Sequence, residues 1–182
     1  MTDSSSQPTG SLSAFMLKTA DIFESIILKV SAVCCWSSAL LIAVIICNVT
    51  MRYGFNNGLI LFEEIQWHLY AIGIMFGLSY AEITNSQVRV DVVASMLKTK
   101  TVLKWEIFGA IVFVFPTIFV ILFNSIDYVA NSYMLGESSS SPLGMPFRWL
   151  IKSAIPASFI LLAMAVLARM FRNIITLTQK EA

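Results

Sequence analysis

Four long apolar runs govern what this chain can fold into. Residues 30–50 read VSAVCCWSSALLIAVIICNVT, and residues 64–83 read EIQWHLYAIGIMFGLSYAEI. Residues 105–128 read WEIFGAIVFVFPTIFVILFNSIDY, and residues 147–171 read FRWLIKSAIPASFILLAMAVLARMF. An α-helix of about 20 mostly apolar residues crosses the hydrocarbon core of a bilayer. Composition agrees: 57% of the chain is hydrophobic and 13% charged, where a soluble domain carries about 25% charged residues. The sequence therefore predicts an all-α membrane protein with four transmembrane helices. They fill one domain, residues 15–175, between a disordered N-terminal tail (1–14) and a short C-terminal tail (176–182).

The connecting stretches set the topology. Of twelve Lys and Arg, nine fall on one side if the N-terminus is inside, and only Arg52, Arg148 and Lys152 fall on the other. The excess of basic residues in cytoplasmic segments then puts both termini in the cytoplasm. The N-terminal tail lacks the basic start and early apolar core of a cleaved signal peptide, so no removed segment is expected. Trp67, Trp105 and Trp149 lie near span ends, where aromatic side chains gather at membrane interfaces. Two short amphipathic interfacial helices are expected. One is SAFMLKTADIFESIILKV before the first span; the other lies in VRVDVVASMLKTK, with Asp91 as its N-cap. Pro116 and Pro156 fall inside the third and fourth spans and are expected to kink them. Cys34, Cys35 and Cys47 share one apolar segment and read as buried thiols rather than a disulfide framework. A net charge of +1 gives no reason to expect nucleic-acid binding.

Chemistry, if any, belongs to the head of the second span, where Glu63, Glu64 and the single histidine, His68, stand together. Glu64 and His68 are four residues apart and could clamp an ion. A zinc site takes three or four protein ligands, and no second histidine exists to complete one. The same count excludes bis-histidine haem. Adjacent glutamates project about 100° apart on a helix, so they do not form an acid–base pair. No metal, cofactor or enzymatic activity is expected. On a helical projection Ile65, Leu69, Ile72, Phe76 and Ile83 share a face with Ser79, and this face is expected to meet lipid. Gly73 and Gly77 form a G-x-x-x-G stripe that would let another helix approach. The glutamates themselves have a bland reading, as an anchored helix start favoured by the helix dipole.

The other charges on that side suggest more. Arg52 ends the first span, Asp127 lies near the end of the third, and Arg148 and Lys152 open the fourth. Together with Glu63 and Glu64 they could form an ion-pair belt that orders the helices and shapes a surface for a partner. The alternative is a set of separate snorkelling charges. Arg89 and Asp91 bracket Val90 at the other side as an interfacial cap.

MRY at 51–53, then EEIQWHLYAIGIMFGLSYAEITNSQVRVDVV, then LGESSSSPLGMPFRWLIKSAIP together resemble one family. It is the small four-helix membrane subunit (DctQ-type) of tripartite ATP-independent periplasmic (TRAP) transporters, closest to the mannitol/chloroaromatic or dicarboxylate branch. The resemblance implies a scaffold subunit in a bacterial inner membrane. It would pack against a large permease subunit, in contact with membrane lipids, and help to dock a periplasmic solute-binding protein. The system would drive uptake of a carboxylate or related solute with an ion gradient. Arg52, Glu63, Glu64, Trp67, Arg89, Asp91, Arg148 and Lys152 match characteristic positions of the family. Where the family often reads G-H-V-R-V-D, this chain has Ser86 and Gln87, so no histidine-dependent step applies there. Read from the residues alone, the alternatives are a stand-alone small oligomeric transporter, or a membrane assembly factor or enzyme.

Overall fold

The computed structural model describes residues 11–87, 97–139, 141 and 144–179. Helix α1 runs unbroken from Ser11 to Gly54 over 44 residues, about 66 Å at 1.5 Å per residue. Helix α2 spans Ile60–Ile83. Helix α3, Thr99–Gly109, passes through a π-helical turn at Ala110–Val114 into α4, Phe115–Met134. Helix α5 spans Arg148–Gln179. The helix α1 thus absorbs both the first span and the amphipathic segment before it. It starts within the segment expected as a tail, and α5 likewise runs on past residue 176. The amphipathic helix expected around Asp91 lies outside the described residues, as do Arg89 and Asp91 themselves.

Among the described residues, three stretches are long and apolar enough to cross a membrane: α1, α3 through α4, and α5. The expectation of four is corrected in that respect. Helix α2 is 24 residues long, but Gln66, His68, Ser79 and Glu82 dilute its hydropathy. The protein buries little of its own apolar surface: only 6% of the most apolar window of α1 is buried. That leaves apolar side chains such as Val33, Trp36, Phe113 and Phe119 facing outward, as a bilayer or another membrane chain requires.

Helix ends follow local chemistry. After α2 the chain turns at Asn85 with φ 56°, and the Ser86 N–H donates to Ala81 O at 3.1 Å. After α4 it turns at Gly136 with φ 57°, and the Glu137 N–H donates to Ser132 O at 3.1 Å. Both are Schellman caps, in which a left-handed residue lets the next N–H satisfy a terminal carbonyl. The π turn has a cause as well. Pro116 has no N–H, and its ring would clash with the carbonyl four residues back. The Phe115 N–H reaches back five residues to Ala110 O, widening the helix there. Pro156 sits inside an unbroken α5, so of the two prolines only Pro116 is accompanied by a change of helix type.

Helix α5 is the element on which α1, α2, α3 and α4 all pack, while α1 and α2 also pack on each other. Small side chains permit this: Ala165 and Ala168 of α5 and Ala20 of α1 are buried. The face of α2 expected to meet lipid turns inward instead. Ser79 on that face is 1% exposed, whereas Trp67, Tyr70, Ile74 and Leu78 point out. Apolar residues surround α2, so periodicity does not choose its face; the small residues opposite do. A Cβ added to Gly73 would lie 3.3 Å from Ser37 Oγ and 3.7 Å from Ser38 Oγ on α1, whereas one at Gly77 meets nothing within 4 Å. Gly73→Leu is therefore expected to destabilise the fold by about 1–3 kcal/mol through overpacking. Gly77→Ala should be neutral or stabilising by up to about 1 kcal/mol, from helix propensity. Thermal unfolding of the two variants in detergent checks the contrast.

Candidate functional site: two charged layers

Charged side chains collect at two levels, one at each end of the bundle. At the first end, α1 finishes, α2 begins, α4 finishes and α5 begins. Arg52 lies 3.5 Å from Glu63, with both side chains half exposed or more. Such a pair is worth about 0–1 kcal/mol and chiefly sets register. Glu64 does something different. Its carboxylate accepts a hydrogen bond from Ser139 Oγ and one from the Met145 N–H at 2.5 Å. One carboxylate on α2 thus grips both sides of the α4–α5 loop, which the Ser139 N–H to Met145 O bond closes at 3.2 Å. Gly144 is needed for this approach, because a Cβ there would meet the Ser139 side chain and lie 2.7 Å from Glu64 Oε1. His68 is occupied locally, with Nδ1 2.6 Å from Glu64 O.

The same loop carries a residue that sequence reasoning missed. Glu137 pairs with Lys152, lies 3.7 Å from Arg148, and accepts from Ser132 Oγ at 2.6 Å. The Arg148 N–H donates to Glu137 O at 3.1 Å. Lys152 Nζ also stands 4.0 Å over the Tyr128 ring, a cation–π contact. Phe147, the residue that swings the chain into α5, sits at φ 65°, a strained conformation for an aromatic residue. The bonds around Glu137 and Glu64 hold it there.

Of the residues expected to form a belt, the structure brings Arg52 to Glu63, and Arg148 and Lys152 to Glu137. Glu64 meets loop hydroxyl and backbone groups rather than a cation. Asp127 is exposed and joins no ion pair among the described residues. Trp67 is 70% exposed, one turn below Glu63 on the outward face of α2.

The Lys152 ammonium and the Ser132 hydroxyl hold the Glu137 carboxyl below the usual carboxylate range. A depressed folded pKa adds stability above the unfolded value of about 4.3, and that stability is lost as pH falls through the folded value. The melting temperature should therefore hold from neutrality to about pH 5 and then fall with further acid. Glu137→Gln should reduce that acid-dependent fall. An unchanged profile in the variant would place the sensitivity elsewhere.

The second layer was also missed. Arg169 on α5 lies 3.1 Å from Glu82 on α2 and 3.3 Å from Glu106 on α3. Asn173 Nδ2 donates to Glu106 at 2.9 Å. One turn further, Arg172 lies 3.0 Å from Asp21 of α1 and also pairs with Glu24. These residues tie α1, α2 and α3 to α5. In sequence they lie far apart, and the legible signal was their common depth once the spans are aligned.

Lys152 and Arg169 are seventeen residues apart on α5, about 26 Å of helix rise. Glu64 and Glu82 on α2 are eighteen apart, about 27 Å. Both separations approximate the hydrocarbon thickness of a bilayer, about 30 Å. The described residues between the layers on α2, α4 and α5 include no Asp, Glu, Lys or Arg. Groups of His, Cys, Asp and Glu able to hold a metal ion are absent among the described residues.

A comparison with protein families matches residues 41–176 to "Tripartite ATP-independent periplasmic transporters, DctQ component". A search among curated proteins returns no match. The family match covers most of the chain, from the second half of α1 to near the end of α5, and takes in both layers except for Asp21 and Glu24. The chain belongs to the DctQ family and is the small membrane subunit of a TRAP transporter.

Proposed function

We infer that this subunit is a scaffold. It holds the large permease subunit in the bacterial inner membrane and helps to present a periplasmic surface on which the solute-binding protein docks. The system it serves takes up a carboxylate or related small solute with an ion gradient. The observation that carries this reading is the pair of charged layers about one hydrocarbon thickness apart, with no Asp, Glu, Lys or Arg between them on α2, α4 and α5. A protein that carries a charged solute or ion through the membrane needs polar groups near the midplane. A scaffold needs only anchored ends and an apolar body.

Helix α2 is read as a fourth crossing despite its low hydropathy. Its support is that Glu63 and Glu64 sit in one layer and Glu82 in the other. The layer with Arg52, Arg148 and Lys152 then faces the periplasm, because most basic residues lie on the opposite side. Both termini are cytoplasmic in this arrangement. Arg52, Glu63, Glu64, Trp67, Asp127, Arg148 and Lys152, with Glu137 and Ser139, would shape the docking side. Arg89 and Asp91 would belong to the cytoplasmic side. Gly73 serves packing within the subunit, and Gly77 borders a groove of about 480 Å³ between α1 and α2.

Co-expression with the large permease and affinity capture through a tag on this chain tests the reading. The expected result is a stable complex that retains the binding protein. Charge reversal at Arg52 should weaken binding-protein association by about tenfold, with the complex of the two membrane chains intact. Failure of the two membrane chains to copurify would sink the scaffold reading.

A further inference from the structure

Helix α4 turns polar groups outward. Thr117, Asn124, Asp127 and Asn131 recur at helical spacing and so share one stripe. All four are exposed, while Ile118, Ser125 and Ser132 on the adjoining face are buried. Phe119 and Phe123 flank the stripe, 69% and 65% exposed, with their rings stacked at 6.3 Å. The stretch that contains α4 is long and apolar enough to cross a membrane, and only 6% of its most apolar window is buried within the chain. Thr117 Oγ1 and Asn124 Nδ2 donate at 2.7 Å to carbonyls of their own helix. The Asn124 carbonyl oxygen is left to accept from outside.

Asp127 is the other unmet group. Lys152 Nζ stands over the ring of its neighbour Tyr128, which puts Asp127 at the level of the first charged layer. Glu63 and Glu137 of that layer each hold a cation. Asp127 joins no ion pair among the described residues. We propose that this stripe seats a membrane helix of the large permease subunit. That helix carries a Lys or Arg opposite Asp127 and a hydroxyl or amide donor opposite Asn124, about 4.5 Å further along the axis. The proposal rests on the scaffold reading and adds the face and the chemistry of the contact.

The chemistry of the stripe selects that occupant. Acyl chains offer Asn124 no hydrogen bond, whereas polar side chains of paired membrane helices bond to each other across the contact. A second copy of this chain does not supply the cation. Arg52, Arg148 and Lys152 are the basic residues of the first layer, and each is already paired with a carboxylate of its own chain. The cation must therefore come from a different chain.

Co-expression of the full chain with the large permease, followed by capture through a tag on this chain in detergent, measures the contact. Asp127→Lys should lower the permease retained by about tenfold or more, through like-charge repulsion. Asn124→Leu should lower it by about threefold. Thermal unfolding of either variant purified without the permease should match the unaltered chain, since both side chains are exposed. A photoreactive benzoylphenylalanine in place of Val120, exposed one turn before Asn124, should cross-link to the permease. Full retention in both variants, or a cross-link only to lipid or to a second copy, would overturn the proposal and leave the scaffold reading standing. No capture of the permease by the unaltered chain would overturn both.

Discussion

Glu64→Ala is expected to free the α4–α5 loop from α2 and to lower coupled transport by the assembled complex more than any other single change in the first charged layer. The carboxylate accepts from Ser139 Oγ and from the Met145 N–H, so one side chain closes the loop of residues 135–147 onto another helix. Alanine removes both acceptors at once and leaves the Met145 N–H without its partner. The loop also contains Phe147 at positive φ, a conformation that persists only while its surroundings enforce it. Hydrogen exchange should rise by about tenfold or more at the amides of Met145 and Ser139, and little in α5 below Lys152. Glu64→Gln should fall between wild type and alanine, since its amide oxygen can serve only one of the two donors. If the loop is the docking surface, binding-protein affinity falls with loop order while permease association does not. Unchanged exchange in the loop of Glu64→Ala would remove the latch from the account.

Arg169→Met carries the largest expected effect on folding. The Arg169 side chain is 20% exposed and serves Glu82, 13% exposed, and Glu106, 25% exposed. Removing it takes from two carboxylates the cation they share. Breaking a buried pair by deleting one partner costs about 3–5 kcal/mol, and partial solvent access reduces that here to about 2–3 kcal/mol. Arg169→Lys should recover only part of the loss, because an ammonium cannot present a planar fork to two carboxylates. Arg169→Met combined with Glu82→Gln and Glu106→Gln should recover more, since the two carboxylates that the arginine served are then neutral amides. Thermal unfolding in detergent separates these cases. A triple variant no more stable than Arg169→Met would mean that packing of the arginine stem, not charge, holds this layer.

Three of the crossings were legible because hydropathy reports membrane thickness directly. Helix length was less so: Ser13 to Lys29 carries charge between its apolar residues, and nothing in its hydropathy says that the helix continues unbroken into the span. The inward face of α2 was misread because its apolar residues encircle the helix. The small residues Ser37 and Ser38 opposite Gly73 decide the face, and they belong to another span. Glu137 escaped notice as one acid in a Gly/Ser/Pro loop, its partner Lys152 fifteen residues away. Asp127, which stands at the right level on the sequence projection, is pointed elsewhere. The second layer is not legible in any one span, because Glu82, Glu106 and Arg169 align only when depth is compared across spans. The π turn shows the opposite case: Pro116 announces a disturbance, and only the backbone shows that it takes the form of a widened turn.

Transport in proteoliposomes tests the central claim most directly. The chain alone, the large permease alone, and both together are reconstituted with the binding protein and an imposed ion gradient. The scaffold account predicts solute uptake only when both membrane chains and the binding protein are present, with this chain inert by itself. Gradient-driven uptake by this chain in the absence of the permease would contradict it.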